Sequence, residues 1–323
     1  MPRQARLDAP GTLHHIIVRG IEKRRIFEDD HDRNAFVSRM GNIASEEKTN
    51  IYAWALMPNH VHILLRSGAQ GLPKYMRRLL TGYAVTYNRR HQRYGHLFQN
   101  RYKSILCEED AYFTELVRYI HLNPLRAKLV DNSSSLEKYL WCGHGVLTGR
   151  LKNEWQDRDY VLSWFGKKEG AAKAAYRKYV EEGISQGRRP ELVGGGLIRS
   201  QGGWSQVLSM RRRNRREVSD ERILGSGNFV EQVIQEADKN FQRMVQARKM
   251  KQETNTLINK ACEKKGITVK ELQSGGRRGS VSSVRFRLAL EMVQNHGFSL
   301  AEAARQLGVS TSGISKLLLR KNQ

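Results

Sequence analysis

The chain has 323 residues, with 56 Lys+Arg against 32 Asp+Glu, a formal charge of +24 and a sequence pI of about 10.2. A field of that size draws polyanions, because each phosphate paired with Lys or Arg releases condensed counterions; nucleic acid is the leading partner and an ordinary metabolic enzyme is disfavoured. The apolar runs fall far short of the roughly 20 residues of a membrane-spanning helix, no hydrophobic signal segment opens the chain, and Cys107, Cys142 and Cys262 stand singly, which excludes a CxxC zinc site. The expectation is a cytoplasmic, nucleoid-associated protein with reduced thiols and no membrane partner.

Leu13–Arg19 is rich in β-branched residues and predicts a strand, and Arg33–Glu47 predicts a helix after the acidic Glu28-Asp29-Asp30. Ile51–Met57 and the alternating His60–Arg66 predict a hairpin turning at Pro58-Asn59. Leu72, Tyr75, Met76, Leu79, Leu80, Tyr83 and Tyr87 recur at helical spacing, predicting a helix over Leu72–Arg90. Arg101–Cys107 follows as a strand and Ala111–Leu122 as a helix that Pro124 should end. The order β-α-β-β-α-β-α is that of a ferredoxin-like sandwich, with helices expected mainly on one face of an antiparallel sheet. The fold class is α+β, in three expected domains: residues 1–150, a helical connector over 151–250, and an all-α domain over 251–323. The connector holds helical stretches at Tyr160–Phe165 and Tyr176–Gly183, the segment Val193-Gly194-Gly195-Gly196, the basic run Arg211–Arg216 and a polar helix over Glu236–Lys251. Ser274–Ser280 predicts a linker, and Val284–Arg320 a last helical block.

Period-two geometry puts His60 and His62 on one face of their strand and Val61, Ile63 and Leu65 on the other. Two such imidazoles either chelate a divalent metal, which at a polyanion-binding surface points to phosphoryl chemistry, or are half-buried rings with hydrogen-bond partners. From Lys48 to Cys107 no Asp or Glu occurs, while ten Lys and Arg do. Arg77, Arg78, Arg89, Arg90, Arg101 and Lys103, interleaved with Tyr75, Tyr83, Tyr87, Tyr94 and Phe98, match a groove for single-stranded DNA, although such a block also suits a solvated face. On the next helix Tyr119 edges the apolar stripe of Phe113, Leu116, Val117 and Ile120, and Asn123 lies one turn along the same side. The pair either aims a phenol and an amide at one point or simply packs.

Ala55-Leu56-Met57-Pro58-Asn59 leading into His60-Val61-His62, then Gly95-His96-Leu97-Phe98-Gln99-Asn100-Arg101-Tyr102-Lys103-Ser104, then Tyr119-Ile120-His121-Leu122-Asn123-Pro124-Leu125-Arg126-Ala127 together resemble the REP-associated tyrosine transposases. These belong to the HUH single-tyrosine transposases of bacterial insertion sequences, and the likeness covers about residues 5–145. It implies a ferredoxin-like HUH nuclease fold in which His60 and His62 bind Mg²⁺ or Mn²⁺, Asn123 stands as a third ligand, and Tyr119 attacks a phosphodiester of single-stranded DNA beside a palindromic repeat hairpin. A protonated phenol, with a pKa of about 10, attacks poorly, so a metal polarising the phosphate suits this chemistry. The implied product is a 5′-phosphotyrosine with a free 3′-OH, whose retained ester energy lets strands rejoin without ATP. The absence of GxxxxGK[ST] agrees.

In Ser299–Arg320, Ala304, Gly308 and Ile314 stand at offsets 0, +4 and +10, the spacing of a helix-turn-helix. The alternative is a generic helical hairpin. Ser310 would cap the second helix, leaving Thr311, Ser312, Ser315 and Lys316 for contacts to duplex DNA. From about Ala261 the chain also resembles the C-terminal duplex-binding domain of the bacterial replication initiator. The reading is a transposase cutting single-stranded hairpin repeats, as monomer or homodimer, with a duplex address at its C-terminal end. Its rivals are a regulator that keeps the fold without chemistry, against which the intact His60, His62 and Tyr119 argue, and an RNA-binding sheet, which would need an aromatic RNP-type motif.

Overall fold

The computed structural model describes residues 7–187, 189–193, 219–274, 276, 278–296 and 298–319. Gly194–Gly196, the basic run Arg211–Arg216, Gly275 and Arg277 lie outside them. Two compact units divide the chain, Met1–Ala237 and Asp238–Gln323.

The first unit is built on β1 (Leu13–Arg19), α1 (Asp30–Glu47), β2 (Asn50–Met57), β3 (His60–Arg66), α2 (Leu72–Arg90), β4 (Lys103–Cys107) and α3 (Glu109–Arg126). These are followed by α4 (Ser133–Lys138), α5 (His144–Thr148), α6 (Arg158–Ser163), α7 (Glu169–Glu182) and β5 (Ile223–Leu224). The sheet order is β2-β3-β1-β4-β5, antiparallel except for the β4–β5 pair. The first four strands in that order are the ferredoxin-like arrangement, and β5 covers what would otherwise be the bare edge of β4. Asp29 caps α1 by accepting from the Asp32 amide, which starts the helix three residues earlier than its apolar pattern indicates.

Helices cover both faces of this sheet, not mainly one. Ile16, Val18, Trp54, Leu56, Val61, Ile63 and Leu65 pack under α1 and α2. Ile17, Tyr52, Ala55, Leu64 and Ile105 pack with α3 and with Val161, Ala172, Tyr176 and Val180 of α6 and α7. The near-continuous apolar runs of β1 and β2 required this, since a strand apolar on both faces must be covered twice. Pro124 does not stop α3, which runs on to Arg126. A proline this near a helix end removes one amide donor, while the Asn123 and Pro124 carbonyls still accept from Ala127 and Leu129.

A long helix, α8 (Gly227–Glu263), contains the expected polar stretch. The second unit continues with α9 (Val269–Gln273), α10 (Gly279–Gln294), α11 (Leu300–Leu307) and α12 (Thr311–Leu319) around Ile258, Leu272, Leu288, Ala303, Leu307 and Ile314. Capping boxes Thr268/Glu271 and Ser299/Glu302 start α9 and α11. Gly308 turns between α11 and α12 at φ +66°, where a Cβ would sit 2.0 Å from the Gln273 carbonyl oxygen. Ser310 Oγ accepts from the Gly313 amide, as expected of a cap. No described helix is long and apolar enough to cross a membrane, and the three cysteines are free and buried.

Candidate active site on the α3 face of the sheet

Antiparallel register sets Ile17 opposite His62 and Arg19 opposite His60. Alternation then turns both histidines, with His15, toward α3. On α3 the i, i+4 pair Tyr119 and Asn123 meets them: the Tyr119 ring centroid lies 5.7 Å from that of His62 and 5.9 Å from that of His15. His60, His62, Tyr119 and Asn123, but not His15, line a cleft of about 820 Å³ with Arg19, Gln99, Asn100, Arg101, Lys103, Arg126 and Arg189.

The imidazoles are anchored through Nδ1. His60 Nδ1 lies 2.6 Å from Asn59 Oδ1, and Asn59 Nδ2 donates to the Lys23 carbonyl (3.0 Å), which fixes the amide with its oxygen toward His60. His62 Nδ1 lies 2.9 Å from His15 Nε2. Burial pushes the His60 pKa down to about 4, with Arg19 adding to the effect, and holds His62 well below the ordinary value; both rings are neutral at pH 7. Neutral rings bonded through Nδ1 keep Nε2 as the unengaged nitrogen. The Asn123 amide nitrogen is buried with no hydrogen-bond partner among the described residues, and the amide oxygen is the atom of that side chain able to serve a cation. Two imidazole nitrogens and one amide oxygen suit a borderline-hard divalent cation such as Mg²⁺ or Mn²⁺. Among the described residues no group of three or more His, Cys, Asp or Glu could hold a metal; an asparagine would complete this set.

Burial raises the Tyr119 pKa, opposed by the Arg126 guanidinium and by the Asn123 amide. Arg126 Cζ lies 5.6 Å from the centre of the Tyr119 ring. Among the described residues its Nε and Nη1 are buried without a partner, and Nη2 alone reaches a carbonyl, that of Gly183, at 3.4 Å. Two unused cationic donors beside a phenol invite an anion.

Of the basic residues expected to follow a single strand, Arg101 and Lys103 line the cleft. Arg77, Arg78, Arg89 and Arg90 lie on α2, whose buried side packs on the opposite face of the sheet. Arg78 is paired with Glu46 and Glu47, and Arg90 with Asp29 and Asp32. Tyr75, Tyr83 and Tyr87 are core residues, no platform for bases: each is at most 2% exposed, and their hydroxyls donate to the Met40 carbonyl, the Ile26 carbonyl and Glu28. Tyr94, 95% exposed, keeps a free ring face. In the second unit Thr311, Ser312 and Lys316 are exposed and Ser315 half-buried, while Ala304 and Ile314 are buried between helices.

Sequence reading missed His15, Arg19, Arg126 and Arg189. The ferredoxin-like order sets β1 beside β3, so alternation along β1 was the available signal for His15 and Arg19. Arg189 lies far along the chain, tied to Glu115 and Glu191, and had no local signal.

Residues 11–123 match the family described as IS200-like transposase. No curated protein matches the sequence. Among solved structures the chain is similar to a REP-associated tyrosine transposase bound to a REP hairpin, at 14% identity and a TM-score of 0.38, over 49% of this chain and 94% of that one. It is also similar to a candidate transposase from Deinococcus radiodurans R1, at 17% identity and a TM-score of 0.27, over 35% of this chain and 92% of that one. The stretch that matches this family, residues 11–123, holds both histidines, the tyrosine and the asparagine.

Proposed function

We propose that this protein cuts and rejoins single-stranded DNA beside hairpin repeats, with Tyr119 as nucleophile and a divalent metal held by His60, His62 and Asn123. The observation that carries the reading is the meeting of Tyr119, both histidines and Asn123 in one basic cleft of a single chain. Tyr119 Oη attacks the phosphorus and gives its phenolic proton to solvent; the O–P bond to tyrosine forms, the P–O3′ bond breaks with its electron pair left on O3′, and that oxygen takes a proton from solvent, leaving a 5′-phosphotyrosine and a 3′-OH. When bound, Mg²⁺ or Mn²⁺ supplies Lewis-acid polarisation of the scissile phosphate. Arg126 favours the phenolate and offers its unused donors to the same phosphate. Arg101 leads the strand into the cleft, and the exposed Arg77 and Arg89 on α2 offer phosphate contacts outside it. A 3′-OH returning to the phosphotyrosine reverses the step and transfers the strand. The helix pair α11–α12, with Thr311, Ser312, Ser315 and Lys316, is assigned to duplex DNA.

The test is a denaturing gel of a labelled single-stranded hairpin incubated with the protein, with and without Mn²⁺. A label-carrying protein band that needs Mn²⁺ and vanishes in Tyr119→Phe is the expected result. Hairpins that are retained but never cut, across several repeats and both metals, would leave a DNA-binding regulator in place of an enzyme.

A further inference from the structure

His15 does not line the cleft, is fully buried, and lies between two groups that determine where its proton sits. Its Nδ1 is 3.0 Å from the carbonyl oxygen of Leu192, and its Nε2 is 2.9 Å from His62 Nδ1. A carbonyl can only accept, so His15 Nδ1 carries the hydrogen; the alternative sets two lone pairs against each other. Among the described residues no carboxylate bears on the ring, and the nearby charge is that of Lys103 on the adjacent strand, so a second proton would be a buried, unpaired charge. His15 Nε2 is therefore an acceptor, and His62 must donate to it from Nδ1.

We propose that His15, oriented by the Leu192 carbonyl, is a positioning residue that locks His62 in its Nδ1–H tautomer and so keeps the Nε2 lone pair directed at the cleft. The proposal rests on the metal-binding reading of His62 and deepens it. Imidazole ligands depend on such partners, because the atom bonded on one side of the ring decides which nitrogen is free on the other. The two histidines of the pair have different anchors: Asn59, the neighbour in sequence, serves His60, whereas His62 depends on a carbonyl 177 residues from the ring that it orients. Leu192 is itself held in place. Its side chain is buried in the α3-side core, and Lys103 Nζ donates to the next carbonyl, Val193 O, at 2.7 Å.

The experiment uses full-length protein labelled with ¹⁵N-histidine. Long-range ¹H–¹⁵N correlation in metal-free protein reads the His62 tautomer, and calorimetric titration with Mn²⁺ alone reads affinity. The wild type should show His62 as Nδ1–H. His15→Phe should mix the tautomers and weaken Mn²⁺ binding by roughly 10- to 100-fold, with an unchanged circular dichroism spectrum. His15→Gln, whose amide oxygen can accept from His62, should hold Mn²⁺ affinity within a few-fold of wild type. An Nε2–H tautomer in the wild type, or a folded His15→Phe with wild-type Mn²⁺ affinity, overturns the proposal. Should His15→Phe not fold, the wild-type tautomer and the His15→Gln affinity still decide. An Nδ1–H tautomer in a wild type that takes up no Mn²⁺ would uphold the lock and remove the metal from the proposed function, so the two readings fail separately.

Discussion

Tyr119 is held in an environment that works against its ionisation, and Arg126 is the main counterweight. Burial favours the neutral phenol, and the guanidinium 5.6 Å from the ring favours the anion. Removing Arg126 withdraws the second effect and keeps the first, so the pKa rises further. In Arg126→Ala the rising limb of the cleavage-rate profile should move to higher pH, and the single-turnover rate at neutral pH should fall by about 10- to 1000-fold. Single-turnover cleavage from pH 6 to 10 checks this; a slower enzyme with an unmoved limb would make Arg126 a substrate contact only. The candidate site was largely legible at this scale. His60 and His62 share a face by alternation, and Tyr119 and Asn123 share one by helical spacing. His15 and Arg189 were not legible, because their roles arise from contacts that only the assembled sheet creates.

At the scale of elements, the sequence was read well where one local rule decided the outcome. The Pro58-Asn59 turn fixed the β2–β3 hairpin, and the apolar repeat of α2 marked Leu72–Arg90 as a helix. It was read poorly where one segment satisfied two rules. The Arg–Tyr interleaving of α2 matches a nucleic-acid groove, yet the same 3.6-residue period that spaces its leucines draws Tyr75, Tyr83 and Tyr87 into the core. The layer of α4–α7 has a weak local pattern, and one polar knot ties it to α3. Tyr176 Oη lies 2.7 Å from His121 Nδ1 and 2.7 Å from His144 Nδ1, donating to one ring and accepting from the other. Burial pushes His144 down to about 4 and His121 well below its ordinary value. As pH falls below 6.5 these rings gain protons in the unfolded chain before they do in the folded one, so stability declines from pH 6.5 and the His144 contribution levels off near pH 4. His144 alone should contribute a loss on the order of 2 kcal/mol by pH 5. Urea melts at pH 7 and pH 5 measure it; in Tyr176→Phe the protein should already be weaker at pH 7 by about 1–3 kcal/mol for each orphaned ring nitrogen.

On the scale of the whole molecule, two compact units allow damage to one without damage to the other. Gly308 is the place to test this, since its φ of +66° and the Gln273 carbonyl 2.0 Å from a would-be Cβ both reject a side chain. Gly308→Ala should destabilise the second unit by about 2 kcal/mol or more, lower one calorimetric transition and weaken duplex binding, while hairpin cleavage stays at the wild-type rate. A single transition that shifts as a whole, with cleavage lost, would mean the units act as one. The carbonyl of Leu192 carries a different consequence, one of timing. The ribosome makes His15 first and must add 177 residues before the group that orients it exists; at ~5–20 residues/s this takes roughly 10–35 s. Under the proposed function, a nascent chain would therefore carry Tyr119 well before His62 is set, and a polypeptide released before Leu192 would lack the tautomer lock while holding Tyr119, both histidines and Asn123.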